Sequence, residues 1–94
     1  MSNKYFSTGE SSRDFAINQL HAIKHDNGSY IDYHDTQRWY NDIGELHRDD
    51  GPAVVYPDGG AYWYLYGGIH SLNTWLKLTS ITDEQKLLLR LQYD

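Results

Sequence analysis

An internal repeat constrains the fold of this chain more than any other feature of its sequence. The aligned pairs are residues 28–33 with 51–56, Trp39-Tyr40 with Trp63-Tyr64, and residues 44–47 with 67–70. The separation along the chain between aligned residues is the same for the first and third pairs of segments and is one residue longer for the Trp-Tyr pair. A unit this short buries no core by itself, so its repetition predicts a fold in which successive copies pack side by side.

Each unit is typical of short strands joined by tight turns. The tripeptides D-N-G at 26–28 and D-D-G at 49–51 favour the positive φ that hairpin turns need. Pro57 starts a further turn, because proline pre-sets φ at the second turn position. In the run AYWYLY, the side chains of Ala61, Trp63 and Leu65 are predicted to lie on one face of a strand and those of the three tyrosines on the other. We expect Trp39 to share the buried face with Trp63.

Helices are predicted on both sides of the repeat. Ser11-x-x-Asp14 fits a capping box, and the apolar spacing that follows predicts a helix over residues 11–25. Residues 71–93 predict two helices, the second starting at a capping box formed by Thr82 and Gln85. This last helix carries two leucine-rich stripes, one to cover the sheet and one to pack on the first helix or on a second copy of the protein. Residues 1–9 have no periodicity and are predicted to be flexible.

The predicted fold is therefore α+β and forms a single small domain over residues 10–94. It consists of a repeat-derived antiparallel β-meander of about four or five strands over residues 26–70, an N-terminal helix and a C-terminal helical hairpin.

The stretch WYNDIGELHRDDGPAVVYPDG followed by WYLYGGIH resembles a phage and bacterial repeat family whose unit runs W-Y-x-x-G-x-L-H-R-x-D-G-P-A. That family is similar in appearance to MORN-type β-hairpin repeats. The resemblance covers roughly residues 25–70, with an extra residue before Gly44 and with Ser71-Leu72-Asn73 in place of R-x-D-G after His70. It implies a small phage accessory protein, in some members one like an antitoxin, and no shared catalytic activity.

Charge and composition limit the partners. The net charge is −5, and eight acids stand against two bases between His25 and Gly60. Without a basic patch, direct nucleic-acid binding is not expected, whereas a basic or nucleic-acid-handling protein suits such a surface. The chain has no Cys, no apolar run as long as a membrane span and no apolar segment near its start. We expect a cytoplasmic protein with no membrane partner.

The run LHRDDGPA holds the one cluster of side chains that suggests chemistry. In an extended chain His47 and Asp49 converge while Arg48 and Asp50 point the other way, so too few ligands meet for a metal site. We expect Asp49 and Asp50 to cap turn amides and His47 to pack on a Trp or bond to the backbone. Because the chain also lacks nucleophile, zinc-helix and phosphate-loop motifs, no enzyme, no metal and no cofactor are predicted.

The tyrosines suggest a binding surface instead, because tyrosine is enriched at the centres of protein interfaces. Its predicted members are Tyr40, Tyr62, Tyr64, Tyr66, Asp49 and Asp50. The leading hypothesis is a non-enzymatic module that binds and inhibits a bacterial host protein such as a defence-system component or a toxin. The first alternative is an oligomer that sequesters a nucleotide signal by aromatic stacking. The second is an assembly protein that forms a homodimer through its C-terminal helix.

Overall fold

The fold is known from a computed structural model that describes residues 11–93, so the predicted flexible segment 1–9 lies outside the described residues. The elements in chain order are α1 (Ser12–Gln19), β1 (Ile23–Lys24), β2 (Tyr30–Ile31), β3 (Gln37–Arg38), β4 (Val54–Val55), β5 (Ala61–Leu65), β6 (Gly68–His70), α2 (Leu72–Leu78) and α3 (Asp83–Tyr93). Every strand pairs antiparallel with the next one along the chain. The predicted α+β meander is confirmed, although the described residues form a sheet of six strands and not of four or five.

The first helix is shorter than predicted. It ends at Gln19, and the amides of Leu20 and Ala22 both donate to the carbonyl of Ala16. His21 then takes a φ of 56°, which no α-helix tolerates. The prediction of helix through residue 25 is wrong because the chain turns here and residues 23–24 form ladder bonds with β2, the pairing that propensity alone did not show.

Both predicted capping boxes mark helix starts. The Ser11 hydroxyl accepts a hydrogen bond from the Asp14 amide at 3.1 Å. Before α3, the Thr82 amide donates to the Gln85 side chain at 3.0 Å, and the Gln85 amide donates back to the Thr82 hydroxyl at 3.2 Å. These bonds satisfy amides that the first turn of a helix leaves without partners.

The core lies between one face of β5 and the two C-terminal helices. Trp63 of β5 packs against the fully buried Trp75 of α2, with ring centroids 4.8 Å apart and the ring planes tilted by 51°, and Tyr93 of α3 meets Trp63 edge-on at 5.2 Å. Leu65 and Leu89 pack against the same cluster. The Trp63 face is therefore the buried one, as the alternation of β5 predicted.

Trp39 is the exception on this face. It is half-buried, it lies outside the core cluster, and its ring is covered by the Arg48 guanidinium 3.8 Å from the ring centroid. Its indole N–H donates to the Asn27 carbonyl at 3.3 Å. The prediction that Trp39 would be buried together with Trp63 is wrong, because an arginine and not a helix covers it.

Helix α3 uses its two leucine-rich stripes differently. Leu89 and Tyr93 pack on the core, whereas Leu87, Leu88 and Leu91 are exposed. The homodimer predicted through this helix stays a prediction, and light scattering of the purified protein measures it.

The sequence repeat is also a repeat of backbone structure. The Tyr40–Leu46 bridge corresponds to the Tyr64–Ile69 pair in the next unit. Each hairpin has a glycine in its turn, Gly44 in the first and Gly67 in the second, and both have a φ of 84°. The two units thus end in equivalent turns, and the extra residue in the first unit lengthens its loop and leaves an isolated bridge where the second unit has a strand pair.

A second pair of equivalent turns lies at the opposite end of the sheet. The amide of Asp32 donates to the carbonyl of Thr36 in the β2–β3 turn, as the amide of Tyr56 donates to Gly60 in the β4–β5 turn. Asp35 has a φ of 65° where the matching residue, Gly59, has 95°. Because connections in a meander alternate between its two ends, these turns stand side by side and far from Gly44 and Gly67.

Candidate functional site

The side chains of the LHRDDGPA run form two alternating pairs. His47 Nε2 lies 3.1 Å from Asp49 Oδ1, and Arg48 Nε donates to Asp50 Oδ1 at 2.9 Å. His47 Nδ1 accepts a hydrogen bond from the Tyr66 amide at 2.9 Å. The imidazole thus bonds to the backbone, which is one of the two roles predicted for His47. Asp49 and Asp50 contact these side chains in the described structure and not turn amides, which corrects that expectation.

The LHRDDGPA run also connects the sheet to α2 by hydrogen bonds. The Trp75 indole donates to the Arg48 carbonyl at 3.2 Å, and the Thr79 hydroxyl donates to the Asp49 carbonyl. Gly51 does not take the predicted positive φ, and a Cβ there would stand 2.8 Å from the Arg48 guanidinium carbon, so a larger residue would displace that side chain. Among residues 11–93 no group of three or more His, Asp or Glu side chains is arranged to hold a metal ion. The run thus acts as a structural joint.

The six predicted surface residues do not form one surface. Tyr40 lies beneath α1, where a cavity of about 160 Å³ separates it from Phe15 and Ala16. Burial, with a smaller contribution from the neighbouring Asp32 carboxylate, raises the pKa of Tyr40 to about 12. The Tyr40 ring meets Tyr30 edge-on at 5.4 Å. This half-buried side chain belongs to the packing between helix and sheet.

The predicted row of three tyrosines on β5 is also broken. Tyr62 is 45 % exposed and meets Tyr56 edge-on at 5.6 Å, while Tyr64 is half-buried. Tyr66 lies beyond the end of β5, in the two-residue turn to β6. The three side chains therefore do not share one strand face, because the strand ends before the third.

Tyr66 instead belongs to a patch formed by the turns that Gly44 and Gly67 define. We call it the Tyr66 patch: Asn41, Asp42, Ile43 and Tyr66, around a depression of about 270 Å³. Tyr66 and Ile43 are 72 % and 69 % exposed. Each precedes the glycine of its turn, so the repeat presents the same exposed apolar position twice. Of the other predicted surface residues, only Asp49 lies near Tyr66, because both contact the His47 side chain.

The backbone at Tyr66 is strained. Its φ is 51°, and Gly67 after it also has a positive φ, the pattern of a turn in which Asn, Asp or Gly occupies the first position. A bulky residue in this region costs about 1–2 kcal/mol. Because the side chain is mostly exposed, burial offsets little of that cost. Backbone strain of this kind, uncompensated by packing, is characteristic of functional positions.

The Tyr66 side chain is nevertheless held in place. Its ring lies 4.4 Å from the His47 ring, and the bond from its amide requires His47 Nδ1 to be unprotonated. His47 is in turn oriented by Asp49. The tyrosine is thus exposed and positioned at the same time, which suits a binding residue. Sequence reasoning found Tyr66 but missed Ile43, which the repeat alignment would have placed beside it.

A second concave region lies at the other end of the sheet. This end cleft has a volume of about 410 Å³. Its lining residues are Leu20, Asp32, His34, Thr36, Arg38, Tyr56, Pro57 and Asp58. It occupies the space between the equivalent turns 32–36 and 56–60 and was not predicted, because its walls come from residues that the sequence offers only as turn formers.

A buried ion pair forms part of the end cleft. Arg38 Nη1 donates to Asp32 Oδ2 at 2.6 Å, and the Asp32 side chain is 1 % exposed. Burial alone would raise the pKa of Asp32, but hydrogen bonds from Arg38 and from the amides of Thr36 and His34 outweigh it, so this pKa lies below its ordinary value of 3.8. Asp32 therefore remains ionised and fixes the β2–β3 turn to β3.

The comparisons with known proteins provide no relative from which to transfer a function. The sequence matches no protein-family model, and no curated protein or solved structure matches it either. Within residues 11–93, no helix is long and apolar enough to cross a bilayer.

Proposed function

We propose that this protein is a non-enzymatic binding module that inhibits a bacterial host protein and contacts it through the Tyr66 patch. The observation that carries the proposal is a well-positioned, 72 % exposed tyrosine at a φ of 51°. The residue costs stability in the isolated domain without contributing to the core. Its use at an interface, where tyrosine offers a large rigid contact area, accounts for that cost.

The charges around the patch indicate a basic partner. Asp42 lines the depression, and the Asp49 carboxylate beside His47 is 64 % exposed. The Glu45 side chain lies within 3.7 Å of the position of a Cβ on Gly67. Acids around two exposed apolar side chains give an apolar centre with a charged rim, the usual arrangement of an interface. A partner with an apolar pocket and basic edges complements it.

The choice of a bacterial host protein rests on the resemblance of the repeat to units found in phage and bacterial proteins. A defence-system component or a toxin is the proposed target class for the same reason. Inhibition is proposed because a small acidic surface is suited to blocking a basic one.

We expect the substitution Tyr66→Asn to stabilise the domain. Asparagine adopts positive φ at lower cost than tyrosine and removes little buried surface here, so the free energy of unfolding should rise by about 0.5–1 kcal/mol. For a domain of this size that corresponds to a melting temperature higher by about 4 °C, measured by circular dichroism. A lower melting temperature would show that the Tyr66 ring contributes more through His47 than its strain costs.

The binding role is tested by comparing two tyrosine variants. Tyr33 is 62 % exposed, has ordinary backbone geometry and lies in the β2–β3 turn, so Tyr33→Asn is a control at the opposite end of the sheet. Tagged wild type and both variants are incubated with bacterial lysate and the captured proteins quantified by mass spectrometry. We expect a protein retained by wild type and Tyr33→Asn but not by Tyr66→Asn, and we expect the purified candidate to reproduce that order. Equal retention by all three would contradict the proposal.

A further inference from the structure

The end cleft contains a threonine hydroxyl that keeps some open surface facing the cleft. Thr36 is 3 % exposed, and its amide and carbonyl are used within the β2–β3 turn. Its hydroxyl contacts no hydrogen-bond partner in residues 11–93. Yet no fully enclosed side-chain oxygen or nitrogen in that range lacks a partner, so the hydroxyl retains open surface. The end cleft is the open space that Thr36 lines.

Arg38 provides further donors in the same cleft. One of its terminal nitrogens is bound to Asp32, whereas its Nε and second terminal nitrogen have no acceptor within residues 11–93. The arginine side chain is 19 % exposed. Because no enclosed side-chain donor in residues 11–93 lacks a partner, water can reach these groups, and a ligand that supplies an acceptor can take the place of that water.

The remaining walls define the body of that ligand. Leu20, Tyr56 and Pro57 give the cleft apolar sides, and its volume of about 410 Å³ falls in the range of small-molecule sites, roughly 300–1,000 Å³. Asp32 neutralises Arg38, and Asp58 adds a carboxylate to a chain that is already acidic. An anionic acceptor is therefore opposed by the local charge, and a phosphate even more so.

We propose that the end cleft binds a small uncharged ligand with a planar ring and a carbonyl oxygen, which accepts hydrogen bonds from the Thr36 hydroxyl and Arg38. The ring lies against Tyr56 and Pro57. Carbonyl chemistry of this kind occurs as an exocyclic carboxamide and as a ring carbonyl. This site is separate from the Tyr66 patch and does not depend on the function proposed for it.

Three fragments with related rings test the charge and the acceptor. Benzamide carries a neutral carboxamide, uracil carries neutral ring carbonyls, and benzoate carries an anion. Each is titrated into the ¹⁵N-labelled protein, and the amide shifts of residues 32–38 and 56–60 are followed by NMR. We expect saturable shifts confined to these turns with benzamide or uracil, at a dissociation constant of about millimolar for molecules this small. Tighter binding of benzoate, or no saturable shift with either neutral fragment, would overturn the proposal.

The variant Thr36→Val separates binding from folding. It removes the hydroxyl and keeps the shape of the side chain, so the melting temperature should be unchanged or higher, since no protein bond in residues 11–93 is lost. Loss of one hydrogen bond should weaken the neutral fragment about five- to tenfold. Leu78→Ala, at an exposed side chain of α2 outside both proposed sites, is the control and should leave fragment binding unchanged. Equal fragment affinity of Thr36→Val and wild type would contradict the assignment of the hydroxyl.

Discussion

Replacing Asp32 with alanine is expected to lower the free energy of unfolding by about 3 kcal/mol, because it leaves the partly buried Arg38 guanidinium without its partner. The same change removes the acceptor for the amides of His34 and Thr36, which bond to Asp32 at 2.8 and 3.1 Å. Urea denaturation followed by tryptophan fluorescence measures the loss. For a small domain this is a large part of the total stability.

The repeat provides a matched control for this change. In the equivalent turn, Asp58 accepts a bond from the Gly60 amide at 2.9 Å, but it is exposed and has no ion pair among the described residues. Asp58→Ala should therefore cost only about 0.5–1 kcal/mol. Similar losses at both positions would show that the turn bonds, and not the buried pair with Arg38, carry the effect.

Acid should reveal the same ion pair. The folded pKa of Asp32 lies below 3.8, so its contribution to stability is fully present above that value and is lost as the pH falls through the lower, folded pKa. Wild type should lose more stability than Asp32→Asn as the pH falls from about 4 to 2, because only wild type has this carboxylate to protonate. Parallel profiles of the urea midpoint against pH would contradict the assignment.

Trp75→Ala should destabilise the domain by about 3–5 kcal/mol, the usual cost of removing a fully buried tryptophan. Trp75 is 0 % exposed, packs against Trp63, and donates from its indole to the Arg48 carbonyl at 3.2 Å, so the change opens a cavity and removes a bond between α2 and the 46–53 run. Urea denaturation gives the magnitude.

Two further variants separate the contributions at this position. Trp75→Phe keeps an aromatic ring but removes the N–H donor, and it should cost less than alanine. Leu78→Ala lies on the same helix at a side chain that is 58 % exposed and should stay within about 0.5 kcal/mol of wild type. A loss at Leu78 as large as at Trp75 would mean that the exposed side of α2 is covered in solution.

The parts of the fold that local chemistry encodes were predictable from the sequence. The capping boxes at Ser11 and Thr82 marked helix starts, and the alternation around Trp63 gave the buried face of β5. The helix predicted through residue 25 failed because His21 takes a positive φ and β1 forms by pairing with β2, a tertiary effect. The prediction that Trp39 is buried with Trp63 failed because the ring is covered by Arg48, which lies beyond the intervening loop in the sequence.

The candidate sites were less predictable than the fold. Periodicity placed Tyr62, Tyr64 and Tyr66 in one row, but it does not show where a strand ends, and β5 ends at Leu65. The end cleft depends on two turns that stand side by side only after the meander has formed. The repeat itself contained part of the answer, since it aligns Ile43 with Tyr66.

The most direct test of the central claim is the affinity of the purified host partner for wild type, Tyr66→Asn and Tyr33→Asn, measured by isothermal titration calorimetry. The account predicts that Tyr66→Asn binds at least about tenfold more weakly, as for an interface anchor worth more than about 1.4 kcal/mol, although it is the more stable protein. Tyr33→Asn should bind like wild type. Equal affinity of wild type and Tyr66→Asn, with the higher melting temperature still observed, would contradict the claim that the strained tyrosine is kept for binding.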